Sequence, residues 1–225
     1  HAAAMQSLAE ALTLFQRNDH TPGVGDTHIR LARCHFLLGN IEPSQQHFEA
    51  ARTAFNLVGD RSRLVQILTG LGEIERSQRR LEAAETYYTQ AMELVGAGTA
   101  VENEVVLQAN LGLVQFQRGR YDDARSSLQS AVAGFARLGS ALFQSTALGL
   151  LAALECKQRN LAACERQLDA LDRLGVETAP ADRDYAFALR EASELAHEQG
   201  APALARRMLR RAADAFEVLG EFEAA

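Results

Sequence analysis

Small and large apolar residues recur along this chain at an interval of about 40 residues. One column of small residues runs Ala32, Gly72, Gly112, Ala152 and Ser193, with a last step of 41 residues. A second runs Ser44, Ala84, Ala124, Cys164 and Ala205. Four residues after it stands a large apolar column, Phe48, Tyr88, Leu128, Leu168 and Leu209; three further on come Ala51, Ala91, Ala131, Leu171 and Ala212. Spacings of four and three keep residues on one helical face. Small residues let two helices approach, and the large residue one turn on fills the space beside them. Each unit therefore reads as two antiparallel helices, A carrying the first column and B the other three. Gly39, Gly119 and Gly200 stand where A turns into B, and glycine supplies the left-handed backbone there. Arg79 and Arg159 occupy the same place and predict a less relaxed turn.

Glycine also marks the expected end of each helix B, at Gly59, Gly96, Gly139, Gly175 and Gly220. Gly96 and Gly175 come about one turn early and are followed by the connectors Ala97 to Glu102 and Val176 to Asp182, which predicts a shorter helix B in those two units. Thr21-Pro22-Gly23-Val24-Gly25-Asp26 reads as a connector. Ala4, Leu8 and Ala11 match the helix B columns with no helix A before them. The reading is one solenoid over 1–225: a half-unit at 1–20, full units at 25–58, 61–96, 101–139, 141–175 and 181–220, and the start of a further helix at 221–225. That makes about eleven helices in an all-α array. Ends of this kind, with no initiator Met at His1, are expected of a fragment of a larger protein.

The columns resemble the tetratricopeptide repeat: a small residue in helix A, an alanine opening helix B, a large residue next, then another alanine. The resemblance covers nearly the whole chain. The family's usual period is about 34 residues, so this chain is similar to the long-unit arrays of kinesin light chains and bacterial signalling proteins. The family's bulky aromatic early in helix A is replaced by His28, Leu68, Gln108, Leu148 and Leu189. The resemblance implies a right-handed superhelical solenoid of antiparallel helix pairs, whose A helices line a concave groove that holds a peptide or partner protein.

Groove positions implied by the family are Asp26, Ile29, Arg33 and Phe36 in the first unit and Gln66, Thr69, Glu73 and Arg76 in the second. Val106, Ala109, Leu113 and Phe116 follow in the third, Thr146, Gly149, Ala153 and Cys156 in the fourth, and Phe187, Arg190, Glu194 and His197 in the fifth. The middle of this groove is expected to be apolar, with Val106, Leu113, Phe116 and Phe187 exposed; an exposed apolar strip marks a binding site. The alternative is that these residues pack on neighbouring helices. In kinesin-light-chain-like arrays an Asn in the column of Asn110 holds a bound peptide's backbone. The other units carry Arg30, Gly70, Leu150 and Glu191 there, so Asn110 is equally a local hydrogen bonder. The paired Lys and Asn residues with which chaperone-binding members clamp a C-terminal carboxylate are missing, which excludes that partner class.

Composition narrows the function. Of 225 residues 47% are hydrophobic and 23% charged, which suits a folded surface rather than disorder. Lys157 is the single lysine among 23 basic residues, a bias that points to a GC-rich bacterial genome. A net charge of −6 argues against nucleic acid. No apolar stretch reaches the ~20 residues a membrane span needs, so a cytoplasmic location without membrane contact is expected. Cys34, Cys156 and Cys164 form no Cys-x-x-Cys pair and read as free thiols.

Chemistry is sparse. The Thr21–Asp26 segment lacks the Lys and Ser/Thr of a phosphate loop. His28, Cys34 and His35 are a thin metal signal, because helix geometry turns Cys34 away from the two histidines. Arg206, Arg207, Arg210 and Arg211 form a basic cluster read as a solvated face balanced by Asp214 and Glu217. No catalytic residue, cofactor or metal is expected. The expected function is a non-catalytic scaffold binding a peptide or partner protein through Arg33, Phe36, Arg76, Asn110, Leu113, Phe116, Phe187 and Arg190. The alternative is a regulatory or sensor array in a bacterial multidomain signalling protein such as a kinase, transcriptional activator or signal-transduction ATPase. Uncapped ends also leave self-association open.

Overall fold

The computed structural model of the chain describes residues 2–96, 99–176, 178–180 and 182–220. Eleven helices and no strand occur among the described residues: α1 (Ala2–Arg17), α2 (Thr21–Leu37), α3 (Ile41–Val58), α4 (Arg61–Ser77), α5 (Leu81–Leu94), α6 (Val101–Gln117), α7 (Tyr121–Leu138), α8 (Ala141–Lys157), α9 (Leu161–Arg173), α10 (Arg183–Glu198) and α11 (Pro202–Leu219). The expected further helix at 221–225 lies outside the described residues. Two compact units are formed, one ending at Val114 and the other starting at Gln115. Within the first, α2 pairs with α3 and α4 with α5; within the second, α8 pairs with α9 and α10 with α11.

The small columns sit at the helix contacts. Ala32, Ser44, Ala84, Ala124, Ala152 and Cys164 are buried. Ser44 Oγ donates to the Ala32 carbonyl across 2.8 Å, tying the two small columns of the first repeat together. A Cβ on Gly72 would lie 2.4 Å from the ring of Tyr88, so only hydrogen leaves room for this aromatic.

All five A-to-B turns are built alike. Gly39, Arg79, Gly119, Arg159 and Gly200 have φ of 74°, 61°, 76°, 60° and 77°. The next residue's N–H reaches back to the carbonyl five residues earlier, as in Asn40 to His35 and Arg80 to Glu75, each at 2.9 Å. This is the Schellman arrangement. Arg79 and Arg159 thus adopt the left-handed conformation despite carrying a Cβ.

Several expectations need correction. Thr21–Asp26 is no connector: it forms the first turns of α2, capped by His20, whose Nδ1 accepts from Gly23 N–H at 2.9 Å. Its glycines serve packing, since a Cβ on Gly25 would meet the Phe55 ring at 2.5 Å. Gly96 does not end its helix in the left-handed conformation; α5 stops at Leu94 and Val95 turns extended, with ψ 133°. Helices α5 and α9 are nonetheless short, 14 and 13 residues against 18 for α3, α7 and α11.

The large column also fails in the fifth repeat. Leu209 is 44% exposed, and Met208 is fully buried in its stead. Phe48, at the equivalent place in the first repeat, lies against Gly70 of the next helix A.

Candidate functional site

In the first unit the A helices α2, α4 and α6 carry a polar chain that takes in Asp26 and Gln66 of the expected groove positions and links them through Arg63 and Asn103, which lie outside that set. Arg63 bridges to Asp26, Nε to Oδ1 at 2.9 Å, and donates to Gln66 Oε1 at 3.2 Å. Gln66 Nε2 donates to Asn103 Oδ1 at 3.4 Å, and Asn103 Nδ2 to Ser62 Oγ at 3.3 Å. Asn110 Nδ2 donates to Glu73 Oε1 at 3.2 Å, so its amide is engaged by the preceding helix A. Arg30 and Arg33 are exposed, while Phe36 and Arg76 are half-buried; Phe36 packs on the core of this unit.

The expected apolar strip is not exposed. Leu113 and Phe116 are only 3% and 6% accessible, and Val106 is half-buried. Packing on neighbouring residues, the alternative reading, accounts for the two buried residues. In the second unit the Phe116 ring lies 6.0 Å from that of Tyr121 and under the Lys157 ammonium, 5.2 Å from its centroid. Lys157 in turn pairs with Glu191 at 2.9 Å, joining α8 to α10. Phe187 is half-buried: Arg190 and Arg183 lie over its ring at 4.7 and 5.7 Å, and it meets Phe216 edge-on at 5.2 Å. Such cation–π contacts keep the aromatic under polar cover.

The basic cluster on α11 is half tied down. Arg207 bonds Asp169 at 2.8 Å and Asp172 at 2.6 Å, and Arg211 also pairs with Asp172. Its acidic partners therefore lie on α9 rather than at Asp214 and Glu217. Burial alone pushes the Asp172 carboxyl up, but the two guanidiniums together hold it below the usual carboxylate range.

One column escaped the sequence reading. His35, Glu75, Gln115 and Glu155 follow each other at 40 residues and supply the carbonyls of the Schellman turns. The side chains of Glu75, Gln115 and Glu155 are buried polar groups with specific partners. Glu75 is held by Arg80, Nη2 to Oε1 at 3.0 Å. Gln115 accepts from Ser127 at 2.8 Å. Glu155 is held by Arg125 at 2.7 Å and Asn160 at 3.1 Å. The signal was the same 40-residue interval, overlooked because these residues are polar where a core column is sought.

His28 and His35, seven apart on α2, both meet His47 of α3. Cys34 is half-buried on the same helix. Among the described residues no group of three or more His, Cys, Asp or Glu is arranged to hold a metal ion. Cys156 and Cys164 are free and buried, and the Cys156 thiol donates to the Ala192 carbonyl at 3.1 Å.

Stacked helix pairs with small residues at the contacts, left-handed turns at fixed intervals and a polar A-helix face define an all-α repeat protein of the solenoid class. The tetratricopeptide repeat profile matches residues 23–97 and 63–137, together just over half of the 225 residues. The chain belongs to the tetratricopeptide repeat family. Its fold is similar to that of BtubC (BKLC) from P. vanneervenii, with a TM-score of 0.75 and 16% identity over 97% of this chain and 90% of that one. The apo form of RapI is similar at a TM-score of 0.73 and 12% identity over 100% and 93%. YrrB, described as a TPR protein with an unusual peptide-binding site, has a TM-score of 0.58 and 17% identity over 96% and 97%. Among curated proteins no sequence matches the chain. Among the described residues no helix is long and apolar enough to cross a membrane.

Proposed function

We propose that the chain is a non-catalytic interaction scaffold that holds a peptide or partner protein on its A-helix face, with Arg33, Phe36, Arg76 and Asn110 of the first unit at the contact. The observation that carries this reading is the polar chain Asp26–Arg63–Gln66–Asn103, which makes one surface of three successive A helices. Paired donors and acceptors hold that surface in place before any partner arrives, and preorganisation of this kind reduces the ordering cost of binding. The unusual peptide-binding site ascribed to YrrB supports the same use of a similar fold. Relative to the sequence expectation, the recognition chemistry shifts from apolar to polar: Leu113 and Phe116 are core, while Arg33 stands in solvent.

Capture from a lysate of the source organism tests this, comparing the chain with a variant carrying Arg33→Glu and Arg76→Glu. A partner retained by the wild type and lost by the variant, with helical circular dichroism unchanged, is the expected result. Equal capture by both removes the A-helix face from consideration.

A further inference from the structure

Three imidazoles meet between α2 and α3 in the first repeat. His28 Nδ1 and His47 Nδ1 are 2.9 Å apart, and their ring centroids 5.1 Å. His35 stacks on His47, with centroids 5.4 Å apart and planes 18° from parallel. The Nδ1 atom of His35 is buried and has no hydrogen-bond partner. No other repeat has this arrangement: the residues 40 later are Leu68, Glu75 and Tyr87. An Nδ1–H···Nδ1 bond needs one ring to donate and the other to offer a lone pair, so at least one of the two must be neutral. When both rings carry a proton, no acceptor remains and two cations face each other at hydrogen-bond distance.

We propose that His28 and His47, with His35 stacked on His47, form a proton-sensitive latch on the α2–α3 hairpin, closed while the His28–His47 bond has a neutral ring to accept it and released as acidification charges both of those rings. Three carboxylates of the same unit already have cationic partners. Asp26 is engaged by Arg63 of α4, Glu49 by Arg52 within α3, and Glu75 of α4 by Arg80. Tyr87 of α5 feels Glu49, Glu75, Arg52 and Arg80. Glu10 and Arg17 stand on α1, Arg30, Arg33 and Cys34 on α2, Glu42 on α3, and Arg61, Glu73 and Arg76 on α4. Asp26, Glu49 and Glu75 thus each face an arginine rather than one of the three rings. Burial holds the His28 ring below its ordinary value; burial, and then the like charges of His28 and His35, do the same for His47.

The sign follows from linkage. A histidine whose folded value lies below its unfolded ~6.5 takes up more protons when the hairpin opens. The stability of the hairpin is therefore full above pH ~6.5 and is lost as the pH falls through that value. Loss continues until the folded values are passed.

Amide hydrogen exchange at pH 7.5 and 5.0, expressed as protection factors, reads the latch directly in the intact chain. Protection in α2 and α3 is expected to fall by up to about tenfold per pH unit for each added proton, while α10 and α11 change little. A variant carrying His28→Leu and His47→Tyr, the residues that the second repeat uses, is expected to lose this pH dependence. Equal protection at both pH values in the wild type, or the same loss in the variant, overturns the proposal. Ring-proton NMR titration of the wild type needs no variant: midpoints for His28 and His47 below ~6.5 are expected, and ordinary midpoints overturn it.

Discussion

Arg79 and Arg159 hold φ near 60° at turns where the other repeats place glycine. A Cβ in that conformation costs about 1–2 kcal/mol, and glycine gives back part of that through its freer unfolded chain. Arg79→Gly and Arg159→Gly are each expected to stabilise the chain by about 0.5–1 kcal/mol, seen as a higher midpoint in urea. Leu113 makes the opposite case. At 3% exposure, Leu113→Ala is expected to cost about 2–5 kcal/mol, and Leu113→Glu to lower helical circular dichroism at 25 °C because an unpaired charge cannot be buried. Arg33→Glu, in solvent, is expected to stay within about 0.5 kcal/mol. The left-handed turns were legible in the sequence because glycine repeats there. The burial of Leu113 was not, because core and binding faces draw on the same side chains.

At the scale of the element, helix α11 shows that the face that is core is not set by column position: Met208 is buried and Leu209 exposed. Met208→Ala is expected to cost about 2–5 kcal/mol, while Leu209→Ala stays within about 0.5 kcal/mol, reversing the order implied by the column; urea unfolding monitored by circular dichroism measures both. The clamp of Arg207 and Arg211 on Asp172 joins α11 to α9. Because the folded Asp172 carboxyl titrates below its usual range, this contribution is present above pH ~4 and lost as the pH falls through that value. Wild-type stability is expected to drop more steeply between pH 5 and 3 than that of an Arg207→Gln variant; equal slopes count against the clamp. The carboxylate is about half exposed, so the difference is small. The sequence showed the basic run but not its partner, since Asp172 and Arg207 come together only when α9 and α11 pack.

At the scale of the molecule, a repeat array is stabilised by nearest-neighbour contacts. The chain divides at Val114 and Gln115 into two compact units, and each is expected to report on its own substitutions. Phe216→Ala removes the edge contact to Phe187. It is expected to raise amide exchange across α10 and α11 well before α2 and α3 respond; uniform loss of protection over both units defeats this view. The all-α class and the tetratricopeptide repeat were legible from a 40-residue interval, because the interval images the pairing of one helix with the next, and the two short B helices from glycines that arrive a turn early, at Gly96 and Gly175.

By itself the sequence determined which residues are small enough to sit between helices, where the chain reverses, and how many helix pairs are stacked. These are local consequences of side-chain size and backbone conformation, read one column at a time. Tertiary structure alone decided that Thr21–Asp26 is helical against Phe15 and Phe55, that Phe116 lies under Lys157, and that His47 closes on His28 and His35. Each depends on a partner from another helix, whose distance and angle are set by packing rather than by the spacing of residues along the chain.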